Sequence, residues 1–457
     1  AQIEPFWNAY YLALVIQLAG QIESERVEPD EGVVFSYRYD WQEEAGKIFA
    51  DSSWRDYRTK SLELSSSHKY VVVTDVADFY PRIYHHRIEN ALKRLDKKSN
   101  VPRKIMKLLK SFSRNVSYGL PVGGPASRIL AELSLAATDK LLLRERFVYC
   151  RYADDFSIFC NDRAQAYRAL VRLSEGLFNE GLVLQKTKTR ILSAEEFIHS
   201  TNVLGPAAPN GSIATEEQKL LNVSLRYDPY SDTAVEDYEA LKGAIKDIDI
   251  LGILGREVAK NTIDPTVTKQ AIRAISALSP TAQHGAVRTL LENDNLEVLS
   301  PVFVSVMRSV RGVYDDLPES GKDFVDNRLI ELYENDSHLL SVDLNLGFYV
   351  QVLERRQSRR KEEIFIETFE KKTNPMIKRL IIQAMSNWSC HYWLTDLKRT
   401  YAGLTEWEKR YFVYASYELG DEGKYWRDNA KASWTPMTTL FRDWVSSSQN
   451  ARRSEQE

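Results

Sequence analysis

Nearly all strand-forming runs of this chain lie in its first 200 residues, and this restriction limits the folds that it can adopt. Residues 70–74 (YVVVT) are apolar and rich in β-branched side chains, which predicts a strand buried on both faces. Residues 147–152 and 156–160 predict two more strands, joined as a hairpin. Helical spacing of apolar residues at 126–143 and 161–180 predicts amphipathic helices. The first half of the chain is therefore predicted to be α+β.

The second half is predicted to be helical throughout. A cluster of glycine and proline at 205–211 (GPAAPNG) predicts a boundary, so we expect one domain at 1–205 and an all-α domain at 206–457. Helices joined by short polar turns are typical of stacked helical hairpins, although no fixed repeat period is present. Helix starts are predicted where a capping residue precedes proline and where a capping box occurs. These starts are at Asp264, Ser279, Ser300, Asn374, Thr405 and Thr435.

Composition excludes several classes of protein. Hydrophobic residues make up 43% and charged residues 27% of the 457 residues, which is typical of a folded protein. A net charge of −3 gives no general attraction for nucleic acid, so a polynucleotide would need a local patch. Three cysteines without zinc-ligand spacing predict a reduced, cytoplasmic protein, with Cys150 and Cys160 in the core. No apolar run approaches the roughly 20 residues that would span a bilayer, so no membrane is expected.

Three carboxylates stand at the ends of the predicted strands. Asp75 follows the first strand, and Asp154 and Asp155 lie at the tip of the hairpin. Taken singly, each is typical of a solvated turn or a helix cap. Together, acidic side chains at strand ends suit a pair of Mg²⁺ ions, which prefer oxygen ligands and can activate a hydroxyl and stabilise a leaving pyrophosphate.

Four motifs in order resemble the palm of reverse transcriptases. They are DVADFY at 75–80, GLPVGGPASR at 119–128, YADD at 152–155, and GLVL at 181–184 followed by Lys188. The resemblance implies a right-hand polymerase with fingers and palm in the first domain. It also implies a nucleotidyltransferase that uses dNTPs and two Mg²⁺ ions, with Mn²⁺ as the alternative ion.

The resemblance also implies roles for individual residues. Asp75, Asp154 and Asp155 would bind metal together with the carbonyl group of Val76, and Lys188 would neutralise pyrophosphate. Tyr80 would be the bulky side chain that excludes a ribose 2′-hydroxyl, or else a core residue. Arg58 and Lys60, with Arg55, would reach the triphosphate from the fingers, or else be surface charges. The full set expected to bind nucleotide is Val76, Ala77, Asp78, Phe79, Tyr80, Val122, Gly123, Arg58 and Lys60.

Departures from templated reverse transcriptases indicate a particular group. Val122 stands where they commonly have Gln, and Arg128 where they commonly have Pro. The string LPVGGPASRILAE at 120–132 and VFSYR at 34–38 resemble the abortive-infection and defence-associated reverse transcriptases of bacteria. A helical-repeat, HEAT-like domain in place of the usual thumb is a third likeness.

That group implies growth-arrest defence against phage by an enzyme that works as a homo-oligomer. Some members need neither template nor nucleic-acid primer: a protein hydroxyl starts the chain, so the single-stranded DNA product is attached covalently. The candidate priming residues are Tyr10, Tyr11, Tyr37, Tyr39 and Tyr57. The alternative is that these tyrosines are core residues and that the primer lies upstream of Ala1.

Two rivals remain open on the sequence. One is a conventional RNA-templated reverse transcriptase of retron or intron type, and the other is a silent polynucleotide-binding scaffold. The buried acidic cluster argues against the scaffold, because unused buried carboxylates are costly. The basic run RRQSRRK at 355–361 is either a track for phosphates or a solvated helix face. His85 is not expected to bind metal, and Trp388, Trp407 and Trp444 are expected to pack between helices.

Overall fold

The computed structural model describes residues 3–50, 54–113, 115–186, 188–202, 216–217, 220, 248–260 and 263–454. The chain divides into two compact units, residues 1–208 and 209–457. The predicted boundary cluster at 205–211 and the side chain of Arg55 lie outside the residues that the structure describes. The domain limits 1–205 and 206–457 therefore stay a prediction.

The first unit contains both helices and strands. Its elements are α1 (Pro5–Glu25), β1 (Tyr39–Gln42), β2 (Lys47–Phe49), α2 (Trp54–Ser65), β3 (Tyr70–Asp75), α3 (Phe79–Arg82), α4 (His85–Leu95), α5 (Val101–Phe112), α6 (Pro125–Arg144), β4 (Val148–Tyr152), β5 (Asp155–Cys160), α7 (Arg163–Asn179), β6 (Arg190–Ser193) and α8 (Ala194–Asn202). The predicted strands and helices of this half are confirmed, with β4 beginning at Val148 instead of at residue 147.

A four-stranded antiparallel sheet in the order β4–β5–β3–β6 forms the centre of this unit. β3 is inside the sheet and is buried on both faces, as its sequence predicted: Val71 and Val72 point to opposite faces and are both fully buried. Val72 faces the large core shared with α1, α6 and α7, whereas Val71 faces a smaller core that contains Cys150, Phe159 and Phe197. The two layers together hold the carboxyl end of β3 in place.

The second unit is helical wherever it is described, and no strand occurs in its described residues. Its helices are α9 (Ile250–Val258), α10 (Pro265–Ala274), α11 (Pro280–Leu291), α12 (Asn293–Val298), α13 (Phe303–Val313), α14 (Glu319–Glu334), α15 (Asp343–Leu353), α16 (Arg359–Lys371), α17 (Pro375–Asn387), α18 (His391–Arg399), α19 (Glu406–Ala415), α20 (Gly420–Ala430) and α21 (Pro436–Ser454). Helices α10, α13, α15, α17, α19 and α21 pack one against the next along the chain. None of the described helices in either unit combines the length and apolar composition that a membrane-spanning segment requires.

Most of the predicted helix starts are confirmed by their capping bonds. The side chains of Ser279 and Asn374 accept hydrogen bonds from main-chain N–H groups of the first turn, and Thr405 forms the predicted capping box with Glu408. The start predicted at Ser300 is wrong. Residues 300–302 form a 3₁₀ turn, in which the main-chain N–H of residue 302 bonds to the carbonyl group three residues back, and α13 begins after it.

The basic run at 355–361 lies among carboxylates of its own unit. Arg356 approaches Asp323 at 2.5 Å and Asp326 at 2.9 Å, and the Lys361 ammonium lies 2.7 Å from Asp326. Lys361 is fully buried, so the run is not simply a solvated face. Because its cations are matched by acids, the track for phosphates that the sequence suggested loses its basis.

Two of the tryptophans differ in their surroundings. Trp388 stacks on Phe365 with ring centroids 5.0 Å apart, and its indole N–H donates to the carbonyl oxygen of Glu354, as expected of a packing residue. The packing predicted for Trp444 is wrong, because 59% of its surface is exposed on the last helix.

Replacing Lys361 with methionine should lower the free energy of unfolding of the helical unit by about 2–4 kcal/mol, because Asp326 then keeps a buried charge with one cation fewer. Urea unfolding of the full chain, followed by hydrogen exchange in residues 343–371, measures this loss. Arg359→Met is the matched control: Arg359 is 94% exposed at its side chain and should contribute less than about 0.5 kcal/mol. Equal effects of the two changes would contradict the ion-pair network.

Candidate active site

Asp75, Asp154 and Asp155 converge at one end of the sheet. Asp75 ends β3 and Asp155 begins β5, and the antiparallel register places these two residues directly opposite each other. Asp154 is the second residue of the two-residue turn between β4 and β5. The main-chain N–H of Val76 donates to the carbonyl oxygen of Asp154 at 3.3 Å, which ties the turn to the end of β3. Three carboxylates from two separate motifs thus come together.

The turn that carries Asp154 is held by a buried arginine. Ala153, the first residue of the turn, has a φ of 50°, a left-handed conformation that costs energy for a residue with a Cβ. The guanidinium group of Arg151 donates a hydrogen bond of 2.8 Å to the carbonyl oxygen of Ala153. Arg151 is fully buried, so it supports the turn from beneath.

Two acids on α6 neutralise this arginine. Arg151 Nη2 lies 2.9 Å from Glu132 and 2.6 Å from Asp139, and its Nε donates to Asp139 at 2.9 Å. Glu132 also pairs with buried Arg26 at 2.8 Å and accepts a hydrogen bond from Ser36 at 2.7 Å. Burial favours a high pKa for Glu132, but Arg151 and Arg26 outweigh burial and lower it. Two cations and two anions therefore balance inside the core.

The acidic end of the sheet is not balanced in this way. Burial, with the nearby charge of Asp75, raises the pKa of Asp154 to about 7. Burial and Asp75 also raise the pKa of Asp155 to about 6, although Lys188 acts against this rise. Clustered carboxylates in a partly buried position repel one another and favour protonation. The site is therefore short of positive charge at neutral pH.

The donor set fits a divalent cation. Asp75 Oδ2 pairs with the ammonium group of Lys188, and this hydrogen bond raises the pKa of Lys188. Asp75 Oδ1 is buried without a hydrogen-bond partner among the residues that the structure describes. Such an oxygen is destabilising unless a cation or donor satisfies it, and Mg²⁺ prefers carboxylate oxygens. In their present positions, no three His, Cys, Asp or Glu side chains among the described residues are grouped closely enough to hold a metal ion by themselves.

The segment that follows α7 lies beside the first motif. The main-chain N–H of Ala77 donates to Val183 at 2.9 Å, and the N–H of Gln185 donates to the carbonyl oxygen of Asp75 at 2.7 Å. This pairing brings Lys188, which is 113 residues away from Asp75 in the chain, to the acidic cluster. The first, third and fourth of the predicted motifs thus meet at one place.

Tyr80 lies next to the loop that contains the second motif. The main-chain N–H of Leu120 donates to the carbonyl oxygen of Tyr80 at 2.8 Å. The Tyr80 phenol is half-buried, and burial together with Tyr37 raises its pKa. Arg128 lies over the ring of Tyr37 at 4.8 Å from its centroid. Tyr80 and Tyr37 therefore form an aromatic wall near Asp154. Such a wall is compatible with the predicted role of Tyr80 in limiting the shape of a bound sugar.

A cavity of about 500 Å³ opens beside Asp155. Arg58, Lys188 and Arg190 supply cations to its wall, and Trp54 adds an aromatic ring. Burial lowers the pKa of Arg58. Lys60 does not reach the cavity: it pairs with Glu63 at 2.8 Å on another face of α2, because residues two apart on a helix point in different directions. The triphosphate contact predicted for Lys60 therefore has no geometric basis.

The remaining residues expected to bind nucleotide have varied surroundings. Val122 is 73% exposed, and Gly123 beside it has a φ of 108°, which favours glycine. The Asp78 side chain is exposed and lies 3.4 Å from Arg82. The Phe79 side chain is buried in the core, so its ring cannot contact a ligand directly. His85 is buried and its Nε2 lies 2.8 Å from the carbonyl oxygen of Gly119, as expected of a structural residue.

Sequence reasoning missed Arg151, Glu132 and Asp139. A signal was present, because Arg151 interrupts the otherwise apolar strand VYCRY, and the two acids interrupt an apolar helix at positions seven residues apart, which share a face. An arginine on a buried strand requires acidic partners, and Glu132 and Asp139 are the two acidic residues of α6.

Arg151→Met should lower the free energy of unfolding of the first unit by about 3–5 kcal/mol, because it leaves Glu132 and Asp139 buried with too little positive charge. Arg151→Lys should cost less, since it keeps the charge and loses the forked geometry. Urea unfolding, monitored by hydrogen exchange in β4 and β5, measures both. A cost below about 1 kcal/mol for the methionine variant would contradict this assignment.

Asp154→Asn should stabilise the metal-free protein at pH 8. The folded-state pKa of Asp154 is raised, to about 7 from 3.8, so the folded protein binds more protons than the unfolded chain and loses stability as pH rises between about 4 and 7. Asparagine removes this loss, and we expect a gain of about 1–2 kcal/mol, because solvent screens part of the repulsion. Thermal unfolding in EDTA from pH 5 to 8 measures the gain. Glu175→Gln, at an exposed carboxylate, should leave the pH profile as it is.

Part of the chain matches a family of known proteins. Residues 33–225, somewhat under half of the chain, match the family model described as reverse transcriptase (RNA-dependent DNA polymerase). No curated protein matches the chain.

Among solved structures, the chain is similar to telomerase from Candida albicans, solved with a TWJ fragment of telomeric RNA. That similarity has 12% identity and a TM-score of 0.26, and covers 73% of this chain and 51% of the telomerase chain. The chain thus spans about half the length of that relative. The family match confirms the resemblance to reverse transcriptases, and the residues that contain Asp75, Asp154 and Asp155 are similar to a reverse transcriptase domain.

Proposed function

We propose that this chain is a DNA polymerase of reverse-transcriptase type that adds dNTPs by two-metal catalysis. The observation that carries the proposal is the register of β3 and β5, which sets Asp75 opposite Asp155 with Asp154 in the adjoining turn. These residues lie within the segment that matches reverse transcriptases. The raised pKa values of Asp154 and Asp155 support the need for bound cations at this place.

In this proposal, Asp75, Asp154 and Asp155 hold two Mg²⁺ ions, or Mn²⁺ in their place, with the carbonyl group of Val76. Bound metal would supply activation of the attacking hydroxyl and neutralisation of the leaving pyrophosphate. Lys188, next to the carboxylates, would donate hydrogen bonds to the phosphate oxygens of the incoming nucleotide.

Substrate selection is the role that we propose for the residues around the acidic cluster. Tyr80 would exclude a ribose 2′-hydroxyl, which favours dNTPs. Arg58 would reach the triphosphate from the wall of the cavity beside Asp155, and Lys60 is left out of this set. Ala77, Asp78 and the main chain of Phe79 would line the path of the nucleotide.

We propose untemplated, protein-primed synthesis as the mode of action. The exposed Val122, where templated enzymes commonly have Gln, supports weak contact with a template. Among the candidate primers, Tyr11 and Tyr57 are buried and hence poor nucleophiles, and burial raises the pKa of both. Tyr10, Tyr37 and Tyr39 are partly exposed, so they are better placed for priming.

The proposal extends to the biology of the chain. We propose a cytoplasmic, homo-oligomeric enzyme of abortive-infection defence that carries its single-stranded DNA product covalently. The second unit would be a helical-repeat, HEAT-like domain, which its consecutive packing of α10, α13, α15, α17, α19 and α21 supports. The residue limits 1–205 and 206–457 are retained for the two domains.

A conventional RNA-templated reverse transcriptase is the second candidate. The description of the matching family, an RNA-dependent DNA polymerase, favours it. A silent scaffold is less favoured, because Asp154 and Asp155 would then destabilise the protein without use.

Purified full-length chain, incubated with Mg²⁺ and labelled dNTPs without template or primer, should yield label that migrates with the protein on a denaturing gel and is released by protease. Asp154→Asn with Asp155→Asn should reduce incorporation by at least about 10³-fold, because the charge that would hold the metal ions is lost. Asp315→Asn with Asp316→Asn is a matched control, since the chain also has Asp–Asp after Tyr314, in a turn of the helical unit. This control should keep full activity.

Three other outcomes would contradict parts of the proposal. Label that appears only with a primed RNA template would favour the conventional enzyme. Label that resists the double substitution would exclude the acidic cluster as the catalytic site. No incorporation in either reaction would favour the scaffold.

A further inference from the structure

A second cavity, of about 430 Å³, lies beside the first motif and shares no lining residue with the cavity beside Asp155. Its lining is shared by the residues after β3, the loop before α6 and the end of α7. The lining residues are Asp78, Pro81, Arg82, Tyr84, Tyr118 and Gly181. This volume is within the range of ligand sites and is large enough for one nucleotide. Asp78 and Gly181 lie in the first and fourth motifs, whereas the other four lining residues have no role in the proposed catalysis.

Two exposed aromatic rings form its most distinctive wall. Tyr84 is 46% and Tyr118 is 52% exposed, and their ring centroids lie 6.3 Å apart. An isolated antiparallel bridge between the two residues sets this arrangement, and the main-chain N–H of His85 donates to Ser117 beside it. A pair of rings with this exposure, held at the surface by main-chain bonds, is available for stacking.

Glycine fixes the orientation of one of these rings. A Cβ atom at Gly181 would lie 2.4 Å from the ring of Tyr84, so the ring rests directly on the glycine main chain. Gly181 has a φ of 80°, which also favours glycine. The ring of Tyr84 is therefore held in place before any ligand binds, which reduces the entropy cost of stacking on it.

The charge of the cavity suits one phosphodiester group. Arg82 is its cation, and it lies 3.4 Å from Asp78 with both side chains more than half exposed. Such an exposed pair is weak, so Arg82 can turn to a phosphate group. A nucleoside triphosphate has several negative charges, which one arginine cannot offset. A single phosphate of a polynucleotide strand is matched by one arginine.

The cavity is close to the acidic cluster. Residues 181–185 run beside 75–77, with Leu184 paired to Val76. Three residues of extended chain separate Gly181 from Leu184, a span of about 10 Å. A strand that is bound with one end at the carboxylates could therefore place a nearby nucleotide in the cavity.

From these observations we propose that the Tyr84–Tyr118 cavity binds one nucleotide of a single-stranded polynucleotide, with its base on the tyrosine rings and its phosphate on Arg82. Stacking does not depend on the base, so the site would hold strands of any sequence. The inference deepens the proposed polymerase function and rests on it, because that function provides the strand.

Fluorescence anisotropy of labelled oligo-dT tests this inference, with full-length protein in EDTA so that no synthesis occurs. Tyr84→Leu with Tyr118→Leu should raise Kd by roughly 10- to 50-fold, because leucine fills space without an aromatic face. Tyr84→Phe with Tyr118→Phe should keep affinity within twofold. Tyr167→Leu, at a tyrosine that is 62% exposed on α7, is the matched surface control and should also keep affinity.

Several outcomes would overturn the inference. Equal affinity of the leucine variant and the unaltered protein, with unaltered thermal unfolding, would exclude stacking in the cavity. A variant that binds oligo-dT normally and loses affinity for free dTTP would mean that the cavity takes mononucleotides instead. If the leucine variant unfolds, crosslinking of an iododeoxyuridine oligonucleotide to the unaltered protein decides: crosslinks to Tyr84 or Tyr118 support the inference, and crosslinks confined to other residues overturn it.

This binding test is independent of the proposed catalysis. Repeating it with Asp154→Asn and Asp155→Asn present should give the same dependence on the two tyrosines. If the unaltered protein shows no synthesis but its binding still depends on the two tyrosines, only the proposed polymerase function is contradicted. If synthesis is normal but binding does not depend on the tyrosines, only the proposed nucleotide site in the cavity is contradicted.

Discussion

The buried contact between Arg151 and the acids of α6 is the interaction on which the rest of the site depends. Arg151 is on the strand that leads into the turn, and its hydrogen bond to Ala153 supports a left-handed residue immediately before Asp154. Glu132 and Asp139 hold the arginine in a forked geometry that a point charge could not reproduce. The position of a carboxylate at the surface of the sheet is thus determined by charges in its interior.

The interior network and the acidic cluster differ in a way that suits their roles. In the interior, Arg26 and Arg151 offset Glu132 and Asp139, so each charge is stabilised by its neighbours. At the end of the sheet, negative charge exceeds positive charge, and Lys188 compensates for it only in part. Proteins commonly accept such a cost at functional sites, where an external ligand supplies the missing charge.

Much of the first unit could be predicted from its sequence, because its strands are strongly β-branched and its motifs occur in order. The strand at 70–74, the hairpin and the position of Asp75 at a strand end all follow from periodicity. The buried network could not be predicted in the same way, since pairing of Arg151 with residues on α6 depends on long-range packing. The choice between a triphosphate contact and a surface charge stayed open for Lys60, because a short helical segment does not reveal which of its faces meets the sheet.

The helical unit was predictable in class and less so in detail. Helix starts with a capping side chain were found because capping is local, and Ser300 failed because a 3₁₀ turn has the same local signature. The basic run at 355–361 needed knowledge of Asp323 and Asp326, which precede it by some thirty residues. Charge runs are ambiguous in sequence for this reason: their partners are distant in the chain.

The antiparallel register between β3 and β5 limits how this chain can change in length. Side chains alternate between faces along a strand, so a one-residue slip would send Asp75 or Asp155 to the opposite face of the sheet. An insertion or deletion between β4 and β5 would do the same to Asp154 and its support by Arg151. By contrast, the connections beyond β5 can absorb added residues while the pairing is kept. Variation in length among proteins that share this arrangement is therefore expected in the helical connections, with the span from β4 to β5 constant.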